Sequence, residues 1–338
     1  MSFECVVETL EAPCVVVHGG AGAYLKTTTA RRRRARGVEL AEVAGLGLFA
    51  AQSGGGARAA VLAAVEAMEL SESFNAGRGS KLQRDGRVRV SAALMDGLNT
   101  RMSAVFNVEG CLHPCRLADA LQGRGDRNLD GLGAAQLMEA MGVEAEELQT
   151  ERTLARWRSL LGAGDTADPE GAIGDADRSE LSSARAANLP VPGDLDALQA
   201  DDENRYGTVG ALALDVDGEL WACTSTGGRG HESPGRISDT GMPAGNYACP
   251  VVAVSATGFG EQIIDLNIGG RIATRVIDGA SLREALERTF EEVASHGGLL
   301  GVIALTCDGE VGYAHTTEAI GVAWVDASGG SHVDRHGR

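Results

Sequence analysis

The chain has 338 residues, a net charge of −17 and a hydrophobic fraction of 43%. That acidity argues against nucleic acid and anionic membrane surfaces as partners, and no stretch approaches the roughly 20 apolar residues of a membrane span. Seven scattered cysteines, an odd number, argue against a disulfide framework. With no basic-then-apolar leader at the N-terminus, the expected setting is a reducing cytoplasm.

Met1–Ala12 reads as a lead-in. Pro13–Val17 is an apolar, β-branched run and predicts a buried strand. His18-Gly19-Gly20-Ala21-Gly22 then predicts a glycine turn approaching another buried segment. It lacks the Gly-x-Gly-x-x-Gly spacing and the Lys-Ser/Thr of a phosphate loop. The run Arg31–Arg34 predicts a solvated helix start or loop. Val38–Ala51 and Ala57–Leu70 predict helices, the second with Val61, Leu62, Val65 and Met68 at helical spacing. Phe74-Asn75-Ala76-Gly77-Arg78-Gly79-Ser80 ends that helix. Strands are expected at Val88–Met95 and Met102–Val108, and short helices at Pro114–Leu121 and Gly133–Met141. Cys111 and Cys115 enclose His113, but no second ligand pair stands nearby, so a structural role is expected there and not a metal.

From about Glu144 to Gly207 the chain is acidic and rich in Ala, Gly, Asp and Pro, which predicts a flexible linker with one helical segment at Arg152–Leu161. The tract ends at Gly207-Thr208-Val209-Gly210. Thr208–Leu214 and Leu220–Thr226 predict two strands around a turn at Asp217-Gly218. A glycine-rich loop, Gly227–Gly235, precedes Arg236 and Asp239. Val251–Ser255 predicts a strand, Gln262–Ile277 and Leu282–His296 predict helices, and Gly301–Leu305, Val311–His315 and Ile320–Val325 predict the last strands. Strands followed by helices and again by strands favour a layered α+β fold over alternating βαβ units. A long structureless tract inside an enzyme is usually functional or disordered. One that ends on Gly-Thr at a core strand has two readings. Either a linker simply ends there, or the Gly207–Thr208 bond is cut and Thr208 becomes a nucleophile at a new N-terminus.

Six pieces bear on that choice. They are His18-Gly19-Gly20-Ala21-Gly22, Phe74-Asn75-Ala76-Gly77-x-Gly79, Gly207-Thr208-Val209-Gly210, Thr224-Ser225-Thr226-Gly227-Gly228, Gly235-Arg236-Ile237-Ser238-Asp239 and Ser255-Ala256-Thr257-Gly258-Phe259-Gly260-Glu261. In this order the set resembles the plant-type L-asparaginases and isoaspartyl peptidases, relatives of the glycosylasparaginases, over nearly the whole chain apart from the acidic tract. The resemblance implies an N-terminal-nucleophile hydrolase with a four-layer αββα sandwich. It implies an α subunit, 1–207, and a β subunit, 208–338, made by self-cleavage and assembled as a dimer of αβ units.

A threonine hydroxyl needs a base, and an N-terminal threonine carries its own in an α-amine of pKa about 8. By the resemblance, Thr208 is the nucleophile, Thr226 tunes its hydroxyl, and Thr257 with the Gly258 N–H forms the oxyanion hole. Arg236 grips a substrate α-carboxylate, while Asp239 and the Gly260 carbonyl take its α-ammonium. No cofactor is required, although a structural sodium is implied on backbone carbonyls near Glu69, Phe74 and Ala76. The expected substrates are small molecules, asparagine or β-aspartyl dipeptides. The alternatives are a sugar-linked asparagine, a protein-directed threonine endopeptidase of the same fold, and a scaffold without catalysis. The chain departs from the usual pattern at Ile237-Ser238-Asp239-Thr240, at Arg229-Gly230-His231-Glu232, where Asn-Lys is usual, and at Val90-Ser91-Ala92-Ala93, where an acidic residue is usual.

Overall fold

Two sheets organise the computed structural model, which describes residues 2–22, 30–162 and 207–333. In spatial order the larger sheet is β13 (Ser331–Val333), β12 (Ala319–Asp326), β2 (Cys14–Gly22), β6 (Val209–Leu214), β7 (Leu220–Thr226), β3 (Val90–Asp96), β4 (Arg101–Val108) and β5 (Asn128–Leu129). The smaller is β1 (Glu4–Thr9), β11 (Glu310–His315), β10 (Leu300–Thr306), β9 (Val252–Gly258) and β8 (Asn246–Ala248). Neighbours pair antiparallel except β4 with β5.

Side chains of a strand alternate between faces, so each sheet offers two apolar surfaces. On the outer face of the larger sheet, Val15, Val17, Ala211 and Ala213 pack under α1 (Ala30–Ala50) and α2 (Gly56–Leu70). Those helices contribute Leu40, Val43, Ala44, Leu48, Val61, Val65 and Met68 at helical spacing. The break between the two helices uses Gly54 and Gly56, both at positive φ (90° and 63°), where a Cβ would be strained. Between the sheets, Val16, Leu212, Leu214, Leu220 and Ala222 meet Ala253, Ile303, Leu305 and Tyr313. On the far face of the smaller sheet, Val252, Val254, Val302 and Ala304 pack against α7 (Ile268–Ile277) and α8 (Leu282–Ser295). A fourth cluster joins β3 and β4 to α3 (Pro114–Leu121) and α4 (Gly131–Met141). The helices α5 (Glu151–Gly162) and α6 (Gly260–Asp265) complete the described elements. None of the described helices is long and apolar enough to cross a membrane.

Four expectations change. The lead-in residues form β1, an edge strand paired in register with β11, and its half-buried residues pack toward both cores. The glycine segment after Val17 is not a turn; it continues β2 to Gly22, where Gly22 and Ala21 pair with Ala319 and Ile320. Its close approach is nevertheless real, since a Cβ on Gly19 would stand 2.7 Å from the Phe74 ring. The helix expected at Gln262–Ile277 is two helices, broken where Asn267 turns left-handed (φ 46°). Finally, the acidic tract begins as packed structure. Leu148 is buried, and α5 docks through Trp157, whose Nε1–H donates to the Gln83 carbonyl at 3.0 Å. The rest of the expected linker, 163–206, lies outside the described residues.

Candidate active site

The slab between the sheets is apolar over most of its length and turns polar at one end. On β2 the inward row runs Cys14, Val16, His18. On β7 it runs Leu220, Ala222, Thr224, Thr226, and on β9 Ala253, Ser255, Thr257. On β6, read backwards, it runs Leu214, Leu212, Gly210 and then Thr208 just before the strand. The register pairs Cys14 with Leu214 and His18 with Gly210, and Gly210 with Thr224, so all four rows become polar at the same level.

Buried polar groups must find partners. The Thr224 hydroxyl donates to Asn246 Oδ1 at 2.8 Å and lies 2.7 Å from Ser255 Oγ, which shares a 2.9 Å hydrogen bond with His18 Nε2. His18 is fully buried. Burial pushes its pKa down to about 3, the Thr208 backbone only partly offsetting this, so its ring is neutral at neutral pH. A Cβ on Gly210 would stand 2.1 Å from Ser255 Oγ and 2.4 Å from His18 Nε2, so any larger residue must displace part of this network.

At the polar end, the Thr208 hydroxyl donates to Thr226 Oγ1 at 3.3 Å. The Thr226 hydroxyl in turn donates to the Gly207 carbonyl at 3.1 Å and accepts from the Gly228 N–H at 3.1 Å. Asn75 Nδ2 donates to the same Gly207 carbonyl at 2.6 Å and to the Gly228 carbonyl at 2.5 Å. The carbonyl carbon that Thr208 would attack therefore has two donors on its oxygen, one of them delivered by α2's following loop. Thr208 is 6% exposed and Thr226 2%. Thr257, fully buried, accepts from the Ala21 N–H at 3.3 Å, and Gly258 follows it with φ 141°. A Cβ on Gly258 would stand 2.5 Å from Leu300 Cα.

Two residues beyond Gly258, Gly260 lies against both clamp residues: its Cβ position is 2.6 Å from Arg236 Nη2 and 2.7 Å from Asp239 Oδ1. Arg236, Asp239 and Gly260 are thus brought together. Burial pushes the Asp239 carboxyl up to about 6, and its Oδ2 is buried with no hydrogen-bond partner among the described residues. Arg236 is engaged: its Nε and Nη2 grip Glu261 at 2.8 and 2.9 Å. Burial pushes the Glu261 carboxyl up, but Arg236 outweighs it and holds the group below its ordinary value. Arg229 stands over the Phe259 ring at 5.1 Å and 4.0 Å from the same carboxylate.

Glu69, in the last turn of α2, stands close to the loop that carries Phe74 and Ala76. A Cβ on Gly77 would lie 2.2 Å from the Glu69 carbonyl oxygen, and one on Gly79 1.9 Å from that of Phe74, while the Ala76 carbonyl accepts from the Gly79 N–H. Such neutral oxygen donors suit a hard cation. The Glu69 side chain does something else. It accepts from the Cys115 N–H (3.3 Å) and Sγ (3.0 Å) and meets His113 Nδ1 at 3.2 Å, which raises the His113 pKa. Cys111, His113 and Cys115 thus belong to a hydrogen-bonded brace, and no group of three or more metal-ligating side chains occurs among the described residues.

A family model for asparaginases matches residues 11–334. The chain belongs to the asparaginase family. It is 37% identical over 316 residues to an isoaspartyl peptidase/L-asparaginase of Nostoc, covering 93% of this chain and 92% of that one. It is 35% identical over 317 residues to a plant-type L-asparaginase of Pyrobaculum calidifontis (92% and 96%), and 32% identical over 316 residues to an isoaspartyl peptidase of Escherichia coli (92% of each). Membership makes the protein a hydrolase. Within this family member, two contacts escaped the sequence reading. Asn75 was visible inside a motif, but nothing local shows that its amide reaches Gly207. Glu261 follows Gly260 directly, yet its grip on Arg236 crosses 25 positions.

Proposed function

We propose that this asparaginase-family protein matures by cutting itself between Gly207 and Thr208 and then hydrolyses asparagine and β-aspartyl dipeptides. The observation that carries the reading is the hydrogen-bond chain from the Thr208 hydroxyl through Thr226 to a Gly207 carbonyl that Asn75 also holds. In maturation Thr208 Oγ1 adds to the Gly207 carbonyl carbon. The oxygen gains negative charge against Asn75 Nδ2 and the Thr226 hydroxyl, the hydroxyl proton passes to the Thr208 nitrogen as the C–N bond breaks, and water hydrolyses the ester that remains to a Gly207 carboxylate and the free Thr208 hydroxyl. The freed α-amine of Thr208 then takes the hydroxyl proton during catalysis, a role that the neutral His18 is not needed for. Thr208 attacks the side-chain amide of the substrate, Thr257 and the Gly258 N–H stabilise the oxyanion, ammonia or an amino acid leaves, and water releases aspartate.

Arg236 holds the substrate α-carboxylate, while Asp239 and the Gly260 carbonyl hold its α-ammonium. Glu261 fixes one edge of the Arg236 guanidinium and leaves the Nη1 end for substrate. The two sheets and their helices then form the four layers of an αββα sandwich, with 1–207 and 208–338 as subunits of a cytoplasmic dimer of αβ units. A sodium ion on the carbonyls of Glu69, Phe74 and Ala76 would order the loop that carries Asn75. Arg229 is assigned to the terminal carboxylate of a dipeptide's leaving residue. The names carried by relatives support asparagine and isoaspartyl substrates. Intact-mass measurement tests maturation: fragments ending at Gly207 and beginning at Thr208 are expected, and one uncut but active chain would overturn it. On the matured protein, kcat/KM for β-Asp-Leu, asparagine and a sugar-linked asparagine tests the substrate, and preference for the sugar-linked compound would move the reading to a glycosylasparaginase.

A further inference from the structure

A second cleft lies at the other end of the larger sheet. It has a volume of ≈ 920 Å³ and is lined by Arg58, Arg101, Arg127, Asp96, Asp119 and Trp221, among others. Trp221 is five residues before Thr226 on β7, about 17 Å away at ~3.4 Å per residue, so this cleft is separate from the candidate active site. Three arginines in one cleft are unexpected on a chain of net charge −17.

The charges there do not cancel. Asp119 is paired with Arg58, at 2.7 Å, and Arg58 also covers the Trp221 ring at 5.6 Å. Asp96 accepts from the Asn99 N–H at 3.3 Å and from its side-chain amide at 2.7 Å. Arg101 and Arg127 have no carboxylate partner among the described residues. Their partners are neutral carbonyls: Arg101 Nη2 donates to Arg124, and Arg127 donates from Nε to Met102 and from Nη1 to Arg124 and Gly125. A guanidinium has five N–H groups, so both keep donors in hand. Arg101 Nε is buried with no acceptor among the described residues. The residue before it, Thr100, is held at φ 48°, a left-handed conformation that non-glycine residues seldom adopt.

We propose that this cleft binds a small dianion bearing carboxylate or phosphate oxygens, held by Arg101 and Arg127 with the Arg58-covered Trp221 as one wall. Carbonyl contacts fix the two guanidiniums without neutralising them, which suits them to a planar or tetrahedral oxyanion.

The test is calorimetric titration of the matured protein with inorganic phosphate and, separately, with citrate. Sodium chloride matched in ionic strength is the control, and Arg101→Gln, Arg127→Gln and Arg236→Ala are compared with wild type. Saturable binding of at least one probe is expected, weakened tenfold or more in Arg101→Gln and in Arg127→Gln and retained in Arg236→Ala. Phosphate and citrate arms tell the two oxyanion sources apart. Three results would overturn the proposal: no saturable binding beyond the chloride control, full binding in both cleft variants, or loss in Arg236→Ala alone, which would put the anion in the active site. Should Arg101→Gln fail to fold, Arg127→Gln, whose guanidinium bonds backbone carbonyls and no side chain among the described residues, decides the matter.

Discussion

Replacing Asn75 with alanine isolates the step that precedes all activity. The amide makes two carbonyl contacts, to Gly207 at 2.6 Å and Gly228 at 2.5 Å, and its oxygen accepts from the Lys81 N–H at 3.0 Å. Only the Gly207 contact bears on the reacting atom. That oxygen is neutral in the intact chain and anionic once Thr208 has added, so the contact strengthens on the way to the transition state. Loss of one such donor slows comparable reactions by about 100- to 1,000-fold, or roughly 3 kcal/mol, with Thr226 left as the second donor. The other two lost contacts lower folding stability by about 1–3 kcal/mol, because Asn75 is 3% exposed and its partners Gly228 and Lys81 are half-buried. Freshly folded Asn75→Ala is followed by denaturing gel over time for the conversion of full-length chain into two fragments, with melting temperature measured alongside. Asn75→Asp keeps the acceptor for Lys81 but sets a carboxylate oxygen against the Gly207 and Gly228 carbonyls, so it should stall as well. Cleavage of both variants within about threefold of the wild-type rate would show that the Gly207 carbonyl is not activated by this amide.

Thr208→Ala should leave one uncut chain and Thr208→Ser should still cut; two fragment bands from the alanine variant would remove Thr208 from the reaction. Glu261→Gln should raise KM about tenfold or more with kcat little changed, since the Arg236 edge is loosened and the nucleophile untouched; a fall in kcat at constant KM would place Glu261 elsewhere in the chemistry. Asp239 must be ionised to accept an ammonium, so KM should rise as pH falls below about 6, and Asp239→Asn should abolish that dependence along with most affinity. The same raised carboxyl keeps its proton longer in the folded chain than its ordinary 3.8 allows, so its contribution makes stability fall as pH rises from about 4 to about 6 and stay level above that.

Sequence reading reached the elements whose cause is local. Val15–Val17 announces itself through a β-branched run, Leu220–Thr226 through an apolar stretch after the turn at Asp217-Gly218, and Val61, Val65 and Met68 through helical spacing. It failed where the cause is a distant partner. Glu4–Thr9 alternates too weakly to read as a strand, and it becomes one because β11 offers an edge in register. The glycines after Val17 would end an isolated strand, but β12 and Phe74 close around them and keep β2 extended. Leu148 is a lone apolar residue among acidic and polar ones, and the cluster of β3, β4, α3 and α4 buries it; Trp157 stands between Arg156 and Arg158 and is held in place by Gln83 and Gly86. The Thr208 region was legible as a set of short motifs, whereas the donors that surround Gly207 come from positions 132 and 19 residues away.

One constraint on the site can be tested without touching any residue that reacts. Gly210 lies on β6 between Thr208 and the apolar slab, opposite Thr224 and beside His18. A methyl group there would be 2.1 Å from Ser255 Oγ and 2.4 Å from His18 Nε2. Both are side chains and can move, but each move has a consequence. Turning Ser255 breaks its bonds to His18 and Thr224, and turning His18 strands a buried ring that has no other place for its polar edge. The remaining route is to part the two sheets at this level, which draws Thr257 and Gly258 on β9 away from Thr208 on β6. Overpacking of this kind costs about 1–3 kcal/mol. Gly210→Ala is therefore expected to lower the melting temperature by several degrees and to reduce kcat of whatever fraction still matures. Adding Ser255→Ala removes the nearer of the two clashing atoms, so Gly210→Ala/Ser255→Ala should recover part of both losses relative to Gly210→Ala. If Gly210→Ala melts, matures and turns over like wild type, the sheets are not held at the spacing that brings Thr257 and Thr208 together, and the polar end of the slab tolerates far more than its packing implies.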